Sequence, residues 1–139
     1  MKKLLLSLFS FFAFSTVALS LDANVMHLYV TILQKKAQFG DAQAQLELAR
    51  CYHSGTGVEC NRAESLKWRR MAAEQGLAEA QFTLANCYYA GEGVEKNYQE
   101  AAKWSRKAAE QGHPKARYML TRCYNDGAGV DNDKQEALK

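Results

Sequence analysis

Apolar positions after residue 40 recur in two interleaved patterns. Ala44, Leu48, Cys51 and Tyr52 fall at intervals of three and four, the spacing of one helix face. The same set returns at Ala80, Leu84, Cys87, Tyr88 and at Ala116, Leu120, Cys123, Tyr124. Trp68 with Ala72, and Trp104 with Ala108, mark a second apolar stripe between those stretches. Polar punctuation separates the two patterns. Gly-x-Gly-Val segments at 55–58, 91–94 and 127–130 end the first helix and turn the chain. Asn61 then stands three before Glu64, Asn97 before Glu100 and Asp133 before Glu136, each a side-chain cap for a second helix. Gly76 and Gly112 close the second helices, Gly40 stands one step earlier, and Pro114 is placed in the first turn of the helix that follows.

Apart from Pro114, these landmarks share one step of 36 residues, and units 40–75 and 76–111 agree at about 21 of 36 positions. A repeat of this length means stacked two-helix units whose core runs through the stack. The expected fold is all-α: an α/α superhelix of about three repeats, at 40–75, 76–111 and 112–139, the last incomplete. Residues 21–39 form its N-terminal cap, a lone helix over 24–39 in which Ile32 stands where Trp68 stands one unit later.

The quoted units resemble the Sel1-like repeat family, which is related to tetratricopeptide repeats. The resemblance rests on Ala-Gln-Leu-Glu-Leu-Ala-Arg-Cys-Tyr-His-Ser-Gly-Thr-Gly-Val at 44–58 and its counterpart at 80–94. Lys-Trp-x-Arg-x-Ala-Ala-Glu-Gln at 67–75 and 103–111 completes it. It covers nearly all of the chain after residue 20. It implies a non-enzymatic adaptor for a protein or peptide partner. The family usually has Gly where Ala49 and Ala85 stand, so the helices are expected to approach slightly less closely here.

The first twenty residues change the picture of where the protein works. Lys2 and Lys3 precede an apolar run from Leu4 to Leu19, and Ala18 and Ser20 are small residues at a cleavage site. This is the pattern of a secretory signal peptide over 1–20; the competing reading is an uncleaved membrane anchor. Periplasmic or secreted location follows, with no stable membrane insertion after cleavage. Two of the three net positive charges fall on Lys2 and Lys3, leaving about +1. That is no footprint for nucleic acid.

Four cysteines in an exported chain raise the question of disulfides. Cys51, Cys87 and Cys123 are equivalent sites on helices about 8–10 Å apart, too far to bridge one another. They read as small buried hydrophobes. Cys60 has no counterpart in the other units, and a Cys51–Cys60 bond across the Gly-rich turn is the open alternative. A cysteine-rich branch of the resembled family includes proteins described as binding or hydrolysing β-lactams, which makes a β-lactam-binding or hydrolysing cell-wall protein the alternative function. In that branch disulfides join the two helices of one unit, whereas the second helices at 62–75 and 98–111 contain no Cys.

Other chemistry is sparse. His27, His53 and His113 lie on different elements without metal-ligand spacing, and no cofactor, metal or catalytic residue is expected. Glu64, Glu74, Glu100 and Glu110 read as caps and solvated charge. Binding candidates are the positions that vary between units on the first helices: Arg50, Asn86 and Arg122; His53, Tyr89 and Asn125; Gln43, Glu79 and Lys115. Guanidinium and amide groups there suit a peptide carboxylate or backbone; the competing reading is solvated surface. The incomplete third unit also offers an edge for homo-oligomer formation.

Overall fold

A computed structural model describes residues 22–127, which form six helices: α1 (22–38), α2 (Ala42–Ser54), α3 (Arg62–Glu74), α4 (Ala78–Ala90), α5 (Tyr98–Glu110) and α6 (Ala116–Asp126). The expected leader at 1–20 and the Asp133–Glu136 cap lie outside the described residues. The helices stack in chain order as an α/α superhelix, each packed on its neighbours, with no strand among the described residues.

Local sequence sets the helix ends. Asn61 Oδ1 accepts from Glu64 N–H at 3.0 Å, and Asn97 Oδ1 does the same for Glu100 at 3.0 Å. Asp41 caps α2 through Ala44 N–H at 2.9 Å. Gly55 and Gly91 close α2 and α4 in the left-handed conformation. Pro114 differs from expectation. It sits in the turn before α6, where Ala116 N–H already bonds His113 O at 3.2 Å, so the helix opens after Lys115.

Two loop glycines carry the stacking. Gly57 has φ +69°, and a Cβ there would lie 2.5 Å from the Met26 carbonyl oxygen on α1. Gly93, with φ +72°, would meet the Arg62 carbonyl oxygen on α3 at 2.7 Å. Only a residue without a side chain lets each turn rest on the helix 31 residues earlier in sequence.

The core runs along the stack. Val30, Leu33 and Ala37 of α1 pack against Ala44, Leu48 and Cys51 of α2, with Trp68 half-buried beside them. Leu46, Leu66, Leu84, Tyr88, Trp104 and Leu120 belong to the larger cluster that follows. A ladder of glutamines, with Gln45 and Gln81 buried and Gln75 and Gln111 exposed, ties successive helices. Gln45 Nε2 donates to Ala37 O at 3.0 Å, and Gln81 Nε2 to Ala73 O at 3.2 Å. Gln75 and Gln111 in turn donate to Gln45 and Gln81, both at 2.8 Å. These contacts satisfy amides that burial would otherwise leave unpaired. The outer side of α1 exposes Val25, Leu28, Tyr29 and Ile32.

Candidate functional site

The candidate positions lie along α2, α4 and α6, the first helices of successive units. Two seams run between them: one between α2 and α4, the other between α4 and α6. The two are built from equivalent positions and differ in what they do with them.

In the first seam Arg50 of α2 bonds Glu47 at 3.1 Å and reaches Glu79 of α4 at 3.4 Å. One unit later, Asn86 replaces Arg50 and Lys115 replaces Glu79. An amide and an ammonium form no ion pair, and the second seam holds an open cavity of about 410 Å³. Its polar lining is Asn86, Lys115 and Arg122; its apolar lining is Phe82, Pro114, Tyr118 and Met119.

The neighbours of this cavity are held in place. His113 stacks on Phe82 with ring centroids 4.5 Å apart. Its Nδ1 accepts from Lys115 N–H at 3.4 Å, which leaves Nε2 to donate to Glu79 at 2.6 Å. Arg122 lies over the Tyr89 ring at 4.5 Å and donates from Nη2 to the Tyr89 hydroxyl at 2.9 Å. Tyr89 in turn donates to Asp126. That bond to a carboxylate holds the phenol's pKa above its ordinary value, with Arg122 opposing. Tyr118 is 69% exposed at the rim, 6.0 Å from the Arg122 guanidinium.

The structure therefore joins Arg122 with Tyr89, sets Asn86 beside Arg122, and draws Arg50 into an ion pair with Glu79. His53 and Asn125 lie at the far ends of α2 and α6 and take no part in the cavity lining. Sequence reading passed over Phe82, Tyr118 and Met119. The available signal was the series Leu46, Phe82, Tyr118 at one repeat position, where a growing aromatic replaces a core leucine.

All four cysteines are free thiols. Cys51 is buried, while Cys60 is exposed with Sγ donating to His53 O at 3.3 Å; the Cys51–Cys60 bond weighed from the sequence is not formed. Burial pushes the Cys51, Cys87 and Cys123 thiols up. Cys123 reaches about 11. Arg69 Nη1 donates to Cys87 Sγ at 2.7 Å and partly offsets the effect of burial there. No group of three or more His, Cys, Asp or Glu among the described residues is placed to hold a metal ion. No described helix is long and apolar enough to cross a membrane.

The chain matches the family model of the Sel1 repeat over residues 42–77, 78–113 and 114–139. It is similar to the crystal structure of a Sel1 repeat protein from Oxalobacter formigenes, with 38% identity and a TM-score of 0.74 over 81% of this chain and 46% of that one. It is also similar to c5321, a protective antigen present in uropathogenic Escherichia coli strains that displays an SLR fold. There the identity is 40% and the TM-score 0.72, over 78% of this chain and 23% of that one. The chain thus spans less than half the length of either structure. No curated protein matches it.

Proposed function

The chain belongs to the Sel1 repeat family, and on that premise we propose that it is an exported adaptor holding a partner protein segment in the α4–α6 seam. Sel1 repeats are scaffolds that generally mediate protein–protein interaction and are generally non-enzymatic. The observation that carries the finer reading is the open seam. A cavity of about 410 Å³ combines exposed aromatic surface with Arg122, Lys115 and Asn86. Aromatic and arginine side chains are the residue types that dominate binding energy at interfaces. Work beyond the inner membrane is supported by the charged start, apolar middle and small-residue end of 1–20.

Photo-reactive residues at Asn86 and at Arg50 test the adaptor. The expected result is one protein cross-linked in the native compartment from Asn86 and not from Arg50. Equal capture from both positions would move binding away from this seam, and capture from neither would sink the adaptor reading. Export is tested by the mass of the purified protein, expected to begin at Leu21; an intact Met1 start in the cytoplasm would refute it.

A further inference from the structure

We infer that the α4–α6 seam selects a peptide segment in which an acidic side chain stands next to a large apolar one. This rests on the adaptor reading and names the partner's chemistry. The argument is charge complementarity in a shaped site. Lys115 and Arg122 both line the cavity, and no carboxylate among the described residues does. Of the nearby carboxylates, Glu79 is engaged by Arg50 and His113, and Asp126 accepts from the Tyr89 hydroxyl that also holds Arg122. Among the described residues Arg122 makes no ion pair, in contrast to Arg50. Its guanidinium is held by Tyr89 through one Nη2 bond. A guanidinium has five N–H donors in a planar fork suited to a carboxylate. Lys115 stands at the N-terminus of α6, where no side chain caps the helix, and the helix dipole adds positive potential on the same side.

The apolar requirement comes from the other wall. Phe82, Pro114 and Met119 line the cavity, and the exposed Tyr118 ring closes one rim. A volume of about 410 Å³ falls at the lower end of ligand pockets, roughly 300–1,000 Å³, so it admits side chains of an extended segment and not a folded element. Asn86 is half-buried in the lining without a hydrogen-bond partner among the described residues. Its amide can both donate to and accept from a peptide bond. Cations and apolar surface share one small cavity, so the partner's acid and its apolar anchor must be near neighbours in sequence.

Selection from a display library of random ten-residue peptides tests this on the whole protein. The wild type is expected to enrich peptides carrying Asp or Glu beside Leu, Ile, Met, Phe or Trp. Lys115→Gln is expected to lose at least about tenfold in affinity for them, equivalent to about 1.4 kcal/mol, and Arg50→Gln to leave affinity unchanged. Lys115→Glu with Arg122→Glu should invert the preference to Lys or Arg beside the same apolar residues. Lys115 is exposed, so the single substitution remains decisive if the double one fails to fold. Enriched peptides without an acidic residue, or affinity indifferent to Lys115→Gln, would overturn the inference and leave the adaptor standing. Enrichment of no peptide by the wild type would overturn both.

Discussion

The α2–α4 and α4–α6 seams are two uses of one repeat position set. Across the first, Arg50 and Glu79 meet as opposite charges; across the second, Asn86 and Lys115 do not. Leu77 packs into the core in the first, whereas His113 in the same position stacks on Phe82. Leu46 is 0% exposed, while Tyr118, two units on, is 69% exposed. The backbone repeats and the chemistry diverges. A solenoid can therefore give one interface to cohesion and the next to recognition, because its stability is a sum over neighbouring units.

The contrast predicts unequal outcomes when one repeat position is emptied on α2 and on α6, the two outer helices of the seams. Leu46→Ala should cost about 2–5 kcal/mol by urea denaturation, since it empties a fully buried site. Tyr118→Ala should change stability by no more than about 0.5 kcal/mol yet weaken partner binding. Equal stability losses would mean that the two seams do the same work.

The inner side of the stack gives a pH test of similar but smaller size. Cys123 binds its proton more tightly folded than unfolded, with a pKa of about 11 against an ordinary 9.0. Its contribution is whole below pH 9 and is lost as the pH rises towards 11. Stability should fall by about 1–3 kcal/mol across that window, and by less in Cys123→Ala. A flat profile in the wild type would remove the burial argument.

Transplanting the first seam's ion pair sharpens the contrast. Asn86→Arg with Lys115→Glu should close the second seam and stabilise by only about 0–1 kcal/mol, while abolishing capture of acidic peptides. Undiminished capture would place recognition elsewhere. The smallest effect belongs to Arg50→Ala. Its ion pair with Glu79 is 49% and 44% exposed, so the loss should be about 0.2–1 kcal/mol. A drop of several kcal/mol in thermal or urea unfolding would contradict the view of this pair as a surface contact.

Much of this protein was legible without coordinates. The 36-residue step, the Asn61 and Asn97 caps and the Gly-rich turns depend on residues a few positions apart, where capping and backbone preference act directly. Asn86 and Arg122 were legible as varying positions on a repeated face. The cavity was not, nor were Phe82 and Met119, which fall outside the repeated apolar set. Pro114 was misplaced by two residues because the His113 carbonyl and imidazole reorganise the start of α6.

The repeat, its helices and the family fold follow from local periodicity and capping, which act between residues close in the chain. Tertiary structure alone decided which side chains meet across a seam. Arg50 finds Glu79 29 residues away, Arg122 finds Tyr89 at 33, and His113 finds Glu79 at 34. None of these is the 36-residue step, because neighbouring helices present different turns to one another. Contacts between repeats run diagonally through the alignment of units, and only the packed stack shows where they land.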